Sequence, residues 1–488
     1  MSSKDTTEEL RQRKTEARQS GGPERMEARH RKGVGSARER VEALLDPDTF
    51  VELDVFVEGA VTGHGKVNGR DVYVFSLDGE ASADVVGEGL SRKVLKMADQ
   101  ALANGAPLVG IYDCSASWAA AGGTKKKTTG KGDGAASLGE FAGLCVRQVM
   151  ASGAVPQIAA VVGPVGGAAA YSPVLADLVV MVKGEGRIFL GDPGTAKSAG
   201  AKAPGLEQIS GARALSEEGG VVHVAADDEG DCFDKVRALL SYLPQNNLDD
   251  VPISEVFDPV DRMDAELDSL AGRQGSEASD VRDVIGHVFD KGSFQELLPY
   301  WAKSMVVGFA HLGGRAVGVV ANQPTESDGR LDADAADKGA RFVRMCDAFN
   351  LPIVCLVDTP GLVSGDGREQ GRLTRAAGAL MYAFCEATVP KLTVVTGRAL
   401  AEGFEVMCSK NLGADFNLAW PGAEIGIRGD KVASGGDRSS SPYDSAVAGH
   451  LDDVFEPSVT RPRLVAALEA CIPKRDSRPP KKHGNLPL

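Results

Sequence analysis

Apolar runs alternate with amphipathic stretches along most of the chain. Residues 106–115, APLVGIYDCS, and residues 351–361, LPIVCLVDTPG, contain runs of consecutive apolar residues, which are typical of strands buried on both faces. Apolar segments also flank Asn68-Gly69 and Gly313-Gly314, and such segments around a two-residue turn predict β-hairpins. Because helical patterns stand between the buried strands, the sequence predicts an α/β fold with a mostly parallel sheet.

The same succession of segments occurs twice. Four blocks of the first half resemble four blocks of the second half in the same order, and Pro156 aligns with Pro390. The paired blocks are 41–54 with 284–297, 61–76 with 306–324, 106–115 with 351–361, and 153–182 with 387–420. A repeat of this length is far longer than a solenoid unit, so it predicts two copies of one α/β domain.

The repeat also suggests where the domains begin and end. The two copies are predicted at 36–245 and 277–475, and the stretch 246–276 between them is polar and rich in Asp, Pro and Gly, as expected of a linker. A charged arm of residues 1–35 precedes the first copy, and a basic tail of residues 476–488 follows the second. The arm has no apolar core, so we expect no secretion signal in it.

Charge and cysteine content narrow the classes of function. The net charge of −14 argues against a general nucleic-acid binder, which needs a basic face for phosphates. No apolar run approaches the length of about 20 residues that crosses a bilayer. The eight cysteines include no C-x-x-C pair, which predicts free thiols in a reducing compartment and no metal site. We therefore expect a cytoplasmic protein that binds neither nucleic acid nor membrane.

Several long strings in this sequence are characteristic of one known family. They include SARERVEALLD at 36–46, GPVGGAAAYSPVLADLVVMV at 163–182 and SKNLGADFNLAWP at 409–421. Over nearly its whole length the chain resembles the carboxyltransferase (β) subunits of biotin-dependent acyl-CoA carboxylases, especially those of the propionyl-CoA type.

The resemblance implies two crotonase-like domains and a reaction that transfers CO₂ from carboxybiotin to the α-carbon of an acyl thioester. It implies active sites between the N-terminal half of one subunit and the C-terminal half of another, in a homohexamer built as a trimer of dimers. It further implies a biotin carboxylase/biotin carrier (α) subunit as partner, biotin on that partner, and a CoA thioester as substrate. Negative charge develops on two carbonyl oxygens in this reaction, and preorganised backbone N–H groups stabilise such charge.

A turn of small residues in the first half offers such donors. The segment GPVGGAAAY, from Gly163 to Tyr171, follows a buried strand and opens a helical stretch, and small residues let a ligand approach the backbone closely. By resemblance, the amides of Gly167 and Ala168 form the oxyanion hole for the thioester, and Gly166 and Tyr171 bind substrate beside them. Close packing of a helix on the sheet is the alternative explanation for the small residues.

The matching turn of the second half departs from the family. It has RALAEGFE at 398–405 where the family has Gly-Gly-Ala-Tyr, and Glu402 and Gly403 fall on the positions whose amides hold the biotin oxygen. A carboxylate ~4 Å from a developing anion costs on the order of several kcal/mol at intermediate dielectric. This is either decay of the biotin site or an adaptation in which burial makes Glu402 a general acid or base, unless Glu402 points to solvent. Glu405 lies where the family tunes acyl selectivity, which favours a short or polar acyl group.

Two loops also differ from the family. After the strand that ends the block at 106–115, the chain lacks the family's Ser-Gly-Gly-Ala-Arg and has an expanded loop that contains Lys125, Lys126 and Lys127. These lysines would bind the phosphates of CoA or an acidic carrier protein, and a solvated loop is the alternative. In the second half, KVASGGDRSSSPYD at 431–444 replaces a longer insertion that covers biotin in the family, and its composition predicts a flexible polar loop.

Three functions are compatible with these features. The leading hypothesis is an acyl-CoA carboxyltransferase subunit that works with a biotinylated partner. The second is a biotin-independent decarboxylase or acyl transferase for malonyl- or methylmalonyl-type thioesters, which would keep the oxyanion hole of the first half and lose the biotin site. The third is a non-catalytic β-like subunit that assembles or regulates an active paralogue.

Overall fold

A computed structural model describes most of the chain. The described residues are 3–18, 27, 29–31, 33–79, 88–114, 134–190, 206–255, 258–273, 277–363, 365–426 and 441–487. Contacts within the chain divide it into two compact units, Met1–Asp249 and Asp250–Leu488. The division falls inside the stretch predicted as a linker, and the finer domain bounds stay a prediction.

The first unit contains a seven-stranded sheet and a separate pair of short strands among its described residues. Its strands are β1 (Val51–Leu53), β2 (Ala60–Val67), β3 (Arg70–Leu77), β4 (Leu108–Tyr112), β5 (Gln157–Val161), β6 (Pro164–Gly166), β7 (Leu178–Val182), β8 (Arg187–Phe189) and β9 (Val224–Ala226). The sheet order is β1-β2-β3-β4-β5-β7-β9, while β6 and β8 form a separate pair. The pairs β1–β2 and β2–β3 are antiparallel and all other pairs are parallel. The predicted α/β fold with a mostly parallel sheet is confirmed.

The described residues of the first unit also form eight α-helices. They are α1 (Ser3–Arg18), α2 (Ala37–Leu44), α3 (Glu88–Asn104), α4 (Gly134–Ala151), α5 (Tyr171–Leu175), α6 (Leu206–Ser210), α7 (Ala212–Glu217) and α8 (Glu229–Tyr242). The start of α2 shows why a helix forms there. The Ser36 side chain accepts a hydrogen bond from the Glu39 amide, and the Glu39 side chain accepts one from the Ser36 amide. This capping box pairs two amides that would otherwise lack partners, and it lets α2 bury Val41 and Leu44.

The second unit repeats the plan. Its strands are β10 (Gln295–Leu297), β11 (Met305–Leu312), β12 (Arg315–Asn322), β13 (Ile353–Thr359), β14 (Lys391–Leu400), β15 (Phe416–Ala419), β16 (Glu424–Gly426) and β17 (Asp453–Val454). The sheet order is β10-β11-β12-β13-β14-β15-β17, with β16 paired to the end of β14. The single long strand β14 corresponds in position to β5 and β6 of the first unit, and β16 corresponds to β8.

The helices of the second unit include one that sequence analysis missed. They are α9 (Glu266–Leu270), α10 (Val281–Val288), α11 (Ala333–Ala348), α12 (Gly367–Glu386), α13 (Glu402–Val406), α14 (Pro442–Val447) and α15 (Thr460–Cys471). α14 begins within the stretch 431–444 that was predicted to be a flexible polar loop, so the prediction is wrong for residues 442–444, while residues 431–440 lie outside the described residues. Ser441 and Asp444 form a capping box with Pro442 at the first helical position, which is a helix-start signal.

Both predicted hairpins are tied in the same way in the two units. Asn68 and Gly69 have φ values of 51° and 77°, which a two-residue turn of the hairpin type requires. Their amides donate to the Asp46 carboxylate at 3.1 and 2.8 Å. In the second unit the amides of Gly313 and Gly314 donate to Asp290 at 3.0 and 2.7 Å. The sequence repeat therefore extends to individual hydrogen bonds.

A buried lysine joins α11 to the segment between β10 and β11. The ammonium of Lys338, on α11, donates to the carbonyl oxygens of Leu298 and Trp301 at 2.9 and 2.8 Å. Burial lowers the pKa of Lys338 to about 7, although the Glu296 carboxylate opposes this shift. Lys93 occupies the corresponding place in the first unit, and burial lowers its pKa to about 8.

We expect this burial to give stability a measurable pH dependence. Between about pH 7 and pH 10 the unfolded chain holds the Lys338 proton that the folded chain has released, so the free energy of unfolding rises with pH. Replacing Lys338→Met should therefore flatten the rise of the melting temperature across that window. The exposed Lys66→Met is the control and should leave the slope unchanged; equal slopes for all three chains would contradict the expectation.

No helix in the described parts of the chain is long and apolar enough to span a membrane.

Candidate active site

The small-residue turn of the first unit connects β6 to α5. Gly167 turns the chain with a φ of 63°, a conformation that strains residues with a side chain. Gly167–Ala170 then form a single 3₁₀ turn that leads into α5. A Cβ added to Gly167 would meet no atom within 4 Å. The backbone here is therefore open to a ligand.

The amides of this turn are available as donors. Gly167 is exposed and Ala168 is half-buried, and among the described residues neither amide makes a hydrogen bond of normal geometry. Gly166, at the end of β6, is half-buried, and the side chain of Tyr171 is 55% exposed. Two adjacent unpaired amides can bind one carbonyl oxygen and stabilise charge on it. The geometry suits the oxyanion hole predicted for Gly167 and Ala168.

The second unit keeps the backbone path of this turn without its glycine. Leu400 ends β14 at the position where Gly166 ends β6, and Ala401 follows with a φ of 52° and a ψ of −139°. It thus takes the place of Gly167. The Ala401 amide donates to the carbonyl of Gly426 at 2.8 Å, which holds the residue in a conformation that costs on the order of 1–3 kcal/mol for a non-glycine residue.

The residues predicted to contact biotin lie directly after this turn. Among the described residues, the amides of Glu402 and Gly403 have no acceptor. Gly403 is buried, and a Cβ there would lie 2.8 Å from Cγ2 of Thr359 and 2.9 Å from Cα of Gly361, so a larger residue does not fit. The side chains of Glu402 and Glu405 are exposed in the single chain. The chain by itself therefore does not bury Glu402 as a role in acid–base catalysis would require.

An ion cluster around the buried Arg398 adjoins the turn of the second unit, and sequence analysis missed it. The guanidinium of Arg398 donates to Asp358 Oδ1 at 3.0 Å and to Asp328 Oδ1 at 2.7 Å. The Arg398 amide also donates to Asp358 Oδ1 at 3.1 Å. Burial alone would lower the pKa of Arg398, but the two carboxylates raise it, so the guanidinium stays charged. A signal was present in the repeat, because Asp358 follows the apolar run 353–357 as Asp113 follows the apolar run of the first unit.

The lysines predicted to bind CoA and the predicted absence of a metal site concern different parts of the chain. Lys125, Lys126 and Lys127 lie outside the described residues, so their contact with CoA stays a prediction. All eight cysteines are free thiols. Within the described segments, no group of three His, Cys, Asp or Glu side chains could hold a metal ion.

Comparison with known families accounts for these paired turns. The family model for the carboxyl transferase domain matches residues 28–436, a span that contains both turns. The chain belongs to the carboxyl transferase domain family. The resemblance stated from the sequence and the two-domain, crotonase-like α/β fold it implied are thereby confirmed.

Relatives within the carboxyl transferase family match the chain from end to end. It is 39% identical over 528 aligned positions to the propionyl-CoA carboxylase carboxyltransferase subunit of Haloferax mediterranei, with all of both chains covered. It is 37% identical over 511 positions to the methylmalonyl-CoA decarboxylase subunit alpha of Veillonella parvula, with 98% of each chain covered. The chain is therefore an enzyme of the acyl-CoA carboxyltransferase type.

A solved structure also matches the whole chain. The crystal structure of transcarboxylase 12S, a hexamer with methylmalonyl-coenzyme A and methylmalonic acid bound, superimposes with a TM-score of 0.92 at 35% identity. The match covers 100% of both chains. The arrangement of strands that places the two turns is thus shared over the full length.

Proposed function

We propose that this chain is the carboxyltransferase subunit of a biotin-dependent acyl-CoA carboxylase and that it carboxylates a short acyl-CoA such as propionyl-CoA. The observation that carries the proposal is the turn at Gly167, which is open and presents two amides that have no acceptor in the described parts of the chain. In the second unit the Ala401 amide, at the position of Gly167, is bonded to Gly426, and the amides of the next two residues, Glu402 and Gly403, have no acceptor among the described residues. Carboxyl transfer between two carbonyl compounds needs two such sites, one for each oxygen that gains charge.

In the first unit, the amides of Gly167 and Ala168 would donate to the oxygen of the thioester. Charge on that oxygen grows when the α-proton leaves and the enolate forms, so fixed donors stabilise the transition state more than the bound substrate. Removal of one such donor typically costs about 10²–10³-fold in rate. The exposed side chain of Tyr171 lies at the start of α5, where it would contact the substrate.

In the second unit, the backbone amides would suit the ureido oxygen of biotin. The Glu402 side chain beside them is negatively charged, as that oxygen would be when it becomes an anion. The amides of Glu402 and Gly403 would hold the oxygen of biotin, and the bound carboxybiotin would supply the carboxyl group. The Glu402 carboxylate is exposed, so water screens its repulsion of a nearby negative charge. Glu405, exposed on the same short helix, would favour a short or polar acyl group.

The proposal includes partners and a location. Transcarboxylase 12S is a hexamer, and we expect this chain to form a homohexamer as a trimer of dimers. Biotin would come from a partner subunit that contains biotin carboxylase and the biotin carrier. We expect the complex in the cytoplasm.

The test is reconstitution with a biotin carboxylase/biotin carrier subunit. We expect the full chain to transfer ¹⁴C from bicarbonate to propionyl-CoA in the presence of ATP and that subunit, and to lose this activity when avidin sequesters biotin. Stable co-purification with another β subunit and no turnover of any thioester would instead indicate the non-catalytic assembly role.

A second candidate is supported by a specific relative. The similarity to a methylmalonyl-CoA decarboxylase subunit, together with Glu402 at the biotin turn, favours decarboxylation of malonyl- or methylmalonyl-type thioesters. This function predicts CO₂ release from methylmalonyl-CoA by the isolated chain, without ATP or a biotinylated partner. Such release without any biotin-dependent carboxylation would replace the first proposal.

We expect Glu402→Gly to raise the rate of biotin-dependent carboxylation by up to about tenfold. The substitution keeps the backbone amide and removes the like charge, whose effect is modest because solvent screens an exposed carboxylate. Carboxylation kinetics at saturating acyl-CoA would measure it, with the exposed Glu469→Gln on α15 as control. A tenfold fall would instead assign Glu402 a role in proton transfer.

A further inference from the structure

We propose that Tyr112, the last residue of β4, and Asp113, which follows it, are positioning residues for the thioester site of the first unit. The two side chains hold the segment between Gly163 and Ser172 at both of its ends, so that the amides within it keep one position. The inference rests on the oxyanion role proposed above for this turn.

The Asp113 carboxylate fixes the position of Gly163, the first residue of the segment. A Cβ added to Gly163 would lie 2.5 Å from Oδ1 of Asp113, so the carboxylate packs directly against this glycine. The Cys114 amide donates to the carbonyl of Pro164 at 2.9 Å, which joins the chain after β4 to the start of β6. A shift of Asp113 would therefore be transmitted to β6, which ends at the turn.

Buried arginines hold the Asp113 carboxylate in place. Arg40 donates to Oδ2 of Asp113 at 2.9 Å and Arg29 donates to the same oxygen at 3.3 Å. Arg40 also donates to Glu229 Oε1 at 2.6 Å, so it bridges α2, the end of β4 and the start of α8. Arg29, Arg40 and Asp113 are all buried. Charges in such surroundings are costly unless paired, so the carboxylate has few alternative positions.

Tyr112 fixes the other end of the segment. Its hydroxyl lies 2.7 Å from Oγ of Ser172, the second residue of α5. Ser172 Oγ donates to Gln148 Oε1 at 2.8 Å, and Gln148 Nε2 donates back to the carbonyl of Ser172 at 3.0 Å. Because the Ser172 hydroxyl donates its own hydrogen to Gln148, the Tyr112 hydroxyl is the donor to Ser172. Burial raises the pKa of Tyr112.

The second unit has only one of these two restraints. Asp358 packs against Gly397, whose added Cβ would lie 2.4 Å from its Oδ2. Val357 and Val406 stand at the positions of Tyr112 and Ser172 in the repeat, and valine side chains cannot form that hydrogen bond. The double restraint is thus confined, among the described residues, to the turn that would bind the thioester.

The experiment uses the carbonyl stretch of bound propionyl-CoA labelled with ¹³C at the thioester carbon. In the native chain the turn amides should polarise this carbonyl and move its infrared band to lower frequency than in free propionyl-CoA. We expect Tyr112→Phe to return the band part of the way and to lower kcat about tenfold with little change in KM, because misplaced donors weaken transition-state binding most. Asp113→Asn should have the larger effect, on the order of 100-fold in kcat.

Tyr242→Phe and Asp46→Asn are the matched controls, since they alter a buried phenol and a turn-binding carboxylate elsewhere in the same unit. They should leave band and kcat unchanged. Variants at Tyr112 and Asp113 that melt earlier but keep the native band would overturn the inference, as would an unshifted band in the native chain. Tyr112→Phe retains the Ser172–Gln148 hydrogen bonds. If Asp113→Asn does not fold, the carbonyl band and kcat of Tyr112→Phe test the inference alone. If the native chain shows the band shift but no carboxylation, the proposed function fails and the variants' bands still decide this inference.

Discussion

Gly167→Val should lower the rate of acyl-CoA carboxylation by more than about 100-fold in a chain that still folds. The Gly167 backbone has a φ of 63° and its added Cβ would enter open space, where the thioester oxygen is proposed to sit. A β-branched residue there blocks the ligand or changes the backbone angle, and either outcome misplaces both donor amides. Loss of one oxyanion donor alone costs about 10²–10³-fold. Steady-state kinetics with the biotinylated partner would measure the loss.

The control for this substitution lies in the same unit. Gly69, in the β2–β3 hairpin, has a φ of 77° and its added Cβ would also meet no atom within 4 Å. Gly69→Val therefore imposes a similar backbone strain, on the order of 1–3 kcal/mol, at a place without a proposed ligand. Both variants should lose a similar amount of thermal stability, and only Gly167→Val should lose activity. Equal loss of activity in both would show that strain, and not the amides, is responsible.

Gly403→Ala should lower carboxylation by on the order of 100-fold while thioester binding stays intact. The new Cβ would lie 2.8 Å from Cγ2 of Thr359 and 2.9 Å from Cα of Gly361. The second of these contacts is with backbone, so the start of α13 must move, and the amides of Glu402 and Gly403 move with it. A misplacement of about 1 Å can cost about 10²-fold in rate. The carbonyl band of bound ¹³C-propionyl-CoA should remain as in the native chain.

Gly371→Ala on α12 is the control for this variant. Its Cβ would meet no atom within 4 Å, and alanine in a helix interior is more stable than glycine by about 0.5–1 kcal/mol. This control should keep full activity and gain a little stability. Unchanged carboxylation in Gly403→Ala would mean that the C-terminal turn does not hold the second ligand.

Local chemistry made much of the fold predictable. The hairpin at Asn68-Gly69 follows from residues that tolerate positive φ, and the structure places both in that region. The run at 353–357 is apolar at every position, and the structure buries it on both faces as part of β13. Because the two halves repeat the same segments, a strand predicted in one half also predicted its counterpart in the other half.

The candidate site was only partly predictable. Consecutive small residues predict the turn at Gly167. Its counterpart at Ala401 lacks this pattern, because a hydrogen bond to Gly426 holds an alanine where glycine is expected. The exposure of Glu402 could not be inferred either. It depends on how α13 packs against Thr359 and Gly361, residues that lie about forty positions earlier in the chain.

The sequence by itself determined the duplicated α/β plan, the hairpins and the turn at Gly167, because each depends on residues close to one another in the chain. Only the tertiary structure decided that Asp113 lies against Gly163 and pairs with Arg40, and that Tyr112 bonds to Ser172. These groups meet because parallel strands bring distant segments to one edge of the sheet. Burial there makes each polar partner necessary, and no local pattern encodes which partner that will be.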